Sequence, residues 1–352
     1  MNRDWNRLRE TLREILRDEV SSGRECACQL CIFDHGEPVI DLVAGSTDRD
    51  RREEATEETL SPIFSAGKPV LAALAWRMAE RGEIAFDTPV AEFWKEFRTP
   101  EKSGITLEHL LSHRAGLYRL PSGDPDITDW AGMCGKVAAM KPGNPPGAKC
   151  HYHPLTFGWL VGHTLELAAG KPLKRMLEEE ILGRPGIAGR LFFGIDGETE
   201  KRTAPIDDSL IPIKPAWEVK VMNSPAVRKC CVPSFSGIGN ARGLAEFYRR
   251  LRGGIVSEAM FDHASGRLFR SPEDPLNEAG WAKFALGIVL MGPPEDRRLF
   301  CGHGGAAGAE AFYMPEYDIA FAFVKNRLSP AHPDHPVRDR ISDALAIPRR
   351  RW

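Results

Sequence analysis

The chain has 352 residues, 42% hydrophobic and 27% charged, with a formal net charge of -2 at pH 7. This is ordinary globular composition, long enough for two domains or one large domain with an insertion, and it supplies no basic surplus for gripping a nucleic-acid backbone. Residues 1–5 lack the apolar core of a signal peptide, and no later stretch approaches the roughly 18 apolar residues of a membrane span, so a cytoplasmic protein with no membrane partner is expected.

In chain order, Trp5, Leu8, Leu12, Ile15 and Leu16 recur at helical spacing among charges, which predicts an amphipathic helix over 5–20 stopped by Gly23. Two strand candidates follow, 26–33 and 38–44, joined across Asp34-His35-Gly36-Glu37 as a hairpin. A helix before a hairpin suggests a helix packed on an antiparallel sheet. Cys26, Cys28 and Cys31 lie on the first strand, where Cys31 points away from the other two and a shared metal is geometrically awkward. Of the other five cysteines, Cys230 and Cys231 are adjacent and Cys134, Cys150 and Cys301 are scattered, without zinc-ribbon or redox CxxC spacing, and no metal or other cofactor is expected. Residues 46–59 are polar and read as a surface excursion.

Ser65-Ala66-Gly67-Lys68 then opens a helix running to about Arg81, with Val70, Leu71, Leu74, Ala75 and Met78 on one face, Pro69 tolerated in the first turn and Gly82 as the stop. A serine and a lysine three apart on a helix share a face, which sets an amine beside a hydroxyl. In a dry site a neutral lysine can take the serine proton and leave a nucleophilic alkoxide, favoured by the helix N-terminus. The competing reading makes Ser65 an N-cap and Lys68 a surface residue, and the pair alone does not separate the two.

Downstream, Asp87 to Trp94 opens a short helix, and 105–117 a third with Thr106 as N-cap and Gly116 as stop. His109 and His113 stand four apart but have no acidic base between them, so packing roles are expected rather than a metal. Residues 118–147, rich in Gly, Pro and Asp, read as long connections of the kind that shape a binding cleft. Taken alone, Tyr152 is a half-buried aromatic at the start of a helix carrying Phe157, Trp159 and Leu160, and 302–308 is a glycine-rich turn before strand-like 311–323, able to form a hairpin across Gly308. The terminal 349–351 arginines read as a solvated tail. No Gly-x-Ser-x-Gly elbow, Walker A loop or dinucleotide fingerprint occurs.

Several segments nevertheless occur in a recognisable order: Asp87-Thr88-Pro89-Val90, Leu110 to Leu117, Pro146-Gly147, Tyr152 to Gly162, Ala241 to Ala245 and Gly302-His303-Gly304-Gly305. Over about residues 5–328 the chain resembles the serine beta-lactamase-like family of class C beta-lactamases, DD-peptidases and family VIII carboxylesterases, most nearly the esterase branch. The resemblance implies an α/β (α+β) fold, with an antiparallel sheet flanked by helices from residues 1–64 and 200–352, an all-helical domain from 65–199, and the active site in the cleft between them. It also implies Ser65 as nucleophile, with Lys68 and Tyr152 as proton carriers; which of the two is the base stays open. By the same analogy the backbone N–H groups of Ser65 and Ala306 form an oxyanion hole, and His303, Gly304, Gly305 and His153 contact substrate. From the residues themselves, His151 and His153 read more as packing groups beside Tyr152.

Two positions depart from the lactamase pattern. Pro154 stands where an asparagine side-chain amide would be, and His303 stands in place of the lysine that pairs with a substrate carboxylate, offering at most a weaker, pH-dependent charge. The expected function is therefore a metal-free serine hydrolase of small-molecule carboxylic esters acting through an acyl-enzyme. The alternatives are a beta-lactamase or DD-peptidase, an acyltransferase, and an inactive binding protein on the same fold. Oligomeric state is not legible.

Overall fold

The fold, taken from a computed structural model, is described for all residues except 1–2, 49, 51, 124, 213–216, 270–282, 294, 330–335 and 350–352. The first helix, Trp5–Ser21, starts at Asp4, whose carboxylate accepts from the Arg7 N–H, and buries Leu12, Ile15 and Leu16. The chain returns as β1 (Ala27–Asp34) and β2 (Glu37–Gly45), joined by His35 and Gly36, both at positive φ. That two-residue turn has the twist an antiparallel hairpin needs.

The remaining strands are β3 (Ser61–Pro62), β4 (Leu191–Phe193), β5 (Gly237–Gly239), β6 (Lys283–Phe284), β7 (Val289–Leu290), β8 (Cys301–Gly304), β9 (Glu310–Met314) and β10 (Ile319–Lys325). Seven form one sheet in the order β2-β1-β10-β9-β8-β7-β6, and β3-β5-β4 form a second, smaller one. The residues expected as one strand over 311–323 are two, β9 and β10, and β8 pairs with β9 across a turn in which Gly308 has φ +97°.

Alternation along β1 divides the core into two layers. Cys28, Leu30 and Ile32 face one cluster with Leu12, Leu16, Val337 and Ile341, the last two from the helix Pro336–Leu345. Cys31 and Phe33 face the other, which includes the helix Ala241–Leu251 and the helical part of the chain. Cys28 and Cys31 thus lie on opposite faces, and all eight cysteines are free thiols.

The helical part is built around Lys68–Glu80, which is buried without interruption from Lys68 to Trp76. A helix that is apolar nearly all round belongs inside a domain, and this one packs against Thr156–Ala169, Leu173–Leu177 and Glu258–Gly266. Three expectations need correction. The 118–147 connection contains the helix Trp130–Ala139, capped by the Asp129 carboxylate on the Gly132 N–H at 3.0 Å. Residues 65–199 are not wholly helical, since they also supply β4. The helix beginning after Thr106 ends at Leu111, not at Gly116. Of the expected arginine tail, Arg349 pairs with Asp343 and the rest lies outside the described residues. Among the described residues no helix is long and apolar enough to cross a membrane.

Candidate active site

Strand β3 pairs with β5, Ser61 opposite Gly239, and leads into a 3-10 turn, Phe64–Gly67, before the Lys68–Glu80 helix begins. Phe64 is buried with φ +50°, a left-handed conformation that costs a bulky residue about 1–2 kcal/mol. This bend puts Ser65 in the turn ahead of the helix, where it is partly exposed and makes no capping bond; Gly67 holds the cap position. A Cβ at Gly67 would lie 2.7 Å from the Phe193 ring, so position 67 calls for glycine.

Lys68 has no solvent exposure. Its Nζ lies 2.7 Å from Ser65 Oγ and donates to the backbone carbonyls of Pro154 at 2.8 Å and Ser234 at 2.9 Å. All three partners are uncharged oxygens. Among the described residues no carboxylate is within ion-pair distance, and burial holds the amine pKa well below the ordinary lysine range.

Tyr152 leans over this amine, with Nζ 5.0 Å from its ring centroid. Its ring stacks on Phe284 at 5.4 Å and meets His113 edge-on at 5.0 Å, while its hydroxyl lies 3.5 Å from His303 Nε2. His303 stands on β8 opposite Ala311, buried, with Nδ1 2.7 Å from Gly304 O. Burial, reinforced by the nearby Lys68, pushes its pKa down to about 3, so the pH-dependent charge expected at this position is absent at neutral pH.

Two further histidines shape the floor. His113 adopts φ +60°, and the Arg114 and His113 N–H groups return to the His109 and Leu110 carbonyls. This is a Schellman ending with histidine in the place glycine usually takes. His109 closes the other end of the same helix in a capping box with Thr106. His153 corrects its expected part as a substrate contact. It is buried, its Nε2 accepts the Leu117 N–H at 3.1 Å, and its Nδ1 donates to His151 O at 2.6 Å. Both ring nitrogens are committed, so it ties two loops together and has no polar atom left for a ligand. His151 stacks on Tyr118 at 3.7 Å.

The end of β8 abuts the turn carrying Ser65. A Cβ at Gly305 would fall 2.2 Å from Ile63 O, so glycine is required for the two backbones to meet. Gly305 N–H donates to Ala309 O and Gly308 N–H to Gly305 O, and Ala306 is exposed within this turn. Ser65, Lys68, Tyr152, His303, Gly304 and Gly305 thus come from three remote segments to one place. Sequence reasoning missed Ser234 and the Pro154 carbonyl, which act through backbone oxygens that every residue has, whereas His113 has the packing role expected of it. Among the described residues no group of three or more His, Cys, Asp or Glu is placed to hold a metal.

Comparison with known proteins gives a consistent answer. The model of the Beta-lactamase family matches residues 12–346. The chain is 27% identical over 337 residues to the esterase/beta-lactamase LipL of Mycobacterium tuberculosis, covering 85% of this chain and 76% of that protein. It is 28% identical over 193 residues to esterase EstB of Burkholderia gladioli, about half of each chain (49% and 48%). Among solved structures, a family VIII carboxylesterase superimposes with TM-score 0.86 at 24% identity, covering 96% of this chain and 97% of that one. A penicillin-binding protein homolog from Caulobacter crescentus reaches 0.83 at 28% identity with the same coverage.

Proposed function

This chain belongs to the Beta-lactamase family, a beta-lactamase/transpeptidase-like fold of serine hydrolases with esterase homologues, and on that premise we propose that it hydrolyses small-molecule carboxylic esters through an acyl-enzyme on Ser65. The observation that carries the reading is the donor pattern of Lys68. Two of its three contacts are carbonyl oxygens, which only accept. A neutral amine has two N–H bonds for them and one lone pair left for Ser65 Oγ, 2.7 Å away, whose hydroxyl also reaches the Ser234 carbonyl at 3.3 Å. A buried lysine in that state is a general base once the hydroxyl turns its proton from that long bond to Nζ.

Acylation follows. The Ser65 proton passes to Lys68 Nζ as Oγ bonds to the ester carbonyl carbon. The carbonyl oxygen takes up negative charge beside the backbone N–H groups of Ser65 and Ala306, where one such donor is worth about 3–4 kcal/mol of barrier. The C–O bond then breaks and the alcohol leaves with a proton supplied through Tyr152. Water repeats the sequence in reverse, freeing the acid and Ser65.

Esters are favoured over lactams and peptides by what surrounds the serine. His303 is uncharged at neutral pH and offers no cation to a substrate carboxylate, and Pro154 turns its carbonyl to Lys68 with no side-chain amide to hold a peptide group. Pre-steady-state release of p-nitrophenol from p-nitrophenyl esters tests the proposal. A burst matched to one acyl group per chain, absent in Ser65→Ala, is expected. Surviving turnover in Ser65→Ala overturns the assignment; faster turnover of nitrocefin or D-Ala-D-Ala peptides moves it to the lactamase or peptidase alternative, and preferential transfer to added alcohol moves it to an acyltransferase.

A further inference from the structure

His303 occupies the strand position from which a cation would donate a hydrogen bond, yet its surroundings give it the opposite polarity. The Gly304 carbonyl can only accept, so Nδ1, 2.7 Å away, carries the ring proton. The neutral ring then carries its lone pair on Nε2, and the Tyr152 hydroxyl lies 3.5 Å from it. Of these two atoms only the phenol has a proton to give. Both rings are fixed: His303 by its own strand pairing and burial, Tyr152 by Phe284 on one side and His113 on another.

We infer that His303 is a positioning residue that accepts the Tyr152 O–H bond, keeping the phenol protonated and aimed, so that Tyr152 serves as the acid for the departing alcohol while Lys68 is the base. The inference rests on the Ser65 acyl-enzyme reading and deepens it. A lysine at 303 would donate to the phenol oxygen and favour phenolate, a base; an imidazole with its proton held on Gly304 does the reverse. The proton balance closes. When the ester C–O bond breaks, its electron pair stays on the alkoxide oxygen, which takes the Tyr152 proton. The phenolate is then refilled from the Lys68 ammonium that received the Ser65 proton, giving neutral alcohol, neutral lysine and acylated serine. The 3.5 Å separation is long for an O–H···N bond, so the hydroxyl leaves Nε2 for the alkoxide at little cost. The low pKa of His303 agrees, since a ring that is hard to protonate stays an acceptor.

Leaving-group dependence separates this role from simple packing, because p-nitrophenolate departs without a proton and an alkoxide does not. The full-length protein is assayed for kcat/KM on ethyl and p-nitrophenyl esters of one acid, as wild type, His303→Gln, His303→Leu and His303→Lys. His303→Leu is expected to lose about tenfold to a hundredfold on the ethyl ester and far less on the p-nitrophenyl ester. His303→Gln, whose amide oxygen can accept the same bond, recovers most of the ethyl-ester activity, and His303→Lys does not. Equal losses on both esters, or a lysine variant as good as the glutamine one, overturn the inference. Fluorophosphonate labelling of Ser65 reports whether each variant is folded. If His303→Leu does not label, the Gln and Lys variants decide alone; if wild type does not label, the Ser65 reading has failed and His303 with it.

Discussion

Two lysines in this molecule are equally buried and do opposite things. Lys325, at the end of β10, is 1% exposed and donates to the buried Glu25 carboxylate and to Ser329 Oγ at 2.8 Å. Lys68 is 0% exposed, and among the described residues its amine hydrogen-bonds a hydroxyl and two backbone carbonyls and meets no carboxylate. Burial is the same, so what differs is the counter-charge. A carboxylate beside Lys325 makes an internal ion pair that joins the segment before β1 to β10, while its absence beside Lys68 lets desolvation drive the amine toward neutrality. On the proposed mechanism, the reactivity of Lys68 comes from withholding a carboxylate.

Replacing each lysine in turn should separate these roles. Lys68→Met is expected to lower kcat/KM on esters by about a thousandfold, roughly 4 kcal/mol of barrier, with no loss in urea-unfolding midpoint, because an amine that folding must dehydrate has been removed. Lys325→Met is expected to do the converse: about 3–5 kcal/mol less stable, since Glu25 is left buried and unpaired, with turnover per folded molecule unchanged. If both variants lose stability alike, the comparison fails. Gly305→Ala is expected to cost about 1–3 kcal/mol of stability and most ester turnover, because its Cβ would displace β8 from Ile63; an alanine variant of normal activity would show that this contact does not set the site.

A smaller effect concerns pH and stability. Lys68, His153 and His303 all have native pKa values below their unfolded ones, the histidines at about 3. Between the two values the unfolded chain binds protons that the native chain does not, so stability rises with pH. For Lys68 this contribution is complete above about 10.5 and shrinks as pH falls toward its lowered native value. For the histidines it is complete above about 6.5 and shrinks down to about 3. Acid titration of the unfolding midpoint should therefore show a shallower slope in His153→Gln between about 6 and 3; an identical slope would contradict the burial argument.

Much of this was legible beforehand because it rests on local chemistry. The hairpin came from alternation around His35-Gly36, and the Ser65–Lys68 juxtaposition from helical spacing. The rest depends on features without a sequence signature. Gly132 and Gly135 disguised the Trp130–Ala139 helix, which the Asp129 cap and packing on Thr156–Ala169 sustain. Gly116 looked like a helix stop, but His113 takes the left-handed position three residues earlier, held there by Tyr152, Phe157 and Phe284. The carbonyls of Pro154 and Ser234 that pin Lys68 lie far away in the chain, and the neutral state of His303 follows from burial that only the assembled sheet provides.

The pH dependence of the acylation burst tests the central claim, that Lys68 is held neutral against Ser65. The rate constant for p-nitrophenol release, measured under single-turnover conditions, should fall on the acid side through one ionisation far below 10.5, the ordinary value for lysine, and stay flat above it; in Lys68→Met that limb should vanish with the rate. A burst that keeps rising to about pH 10, or a limb unchanged in Lys68→Met, would contradict the account.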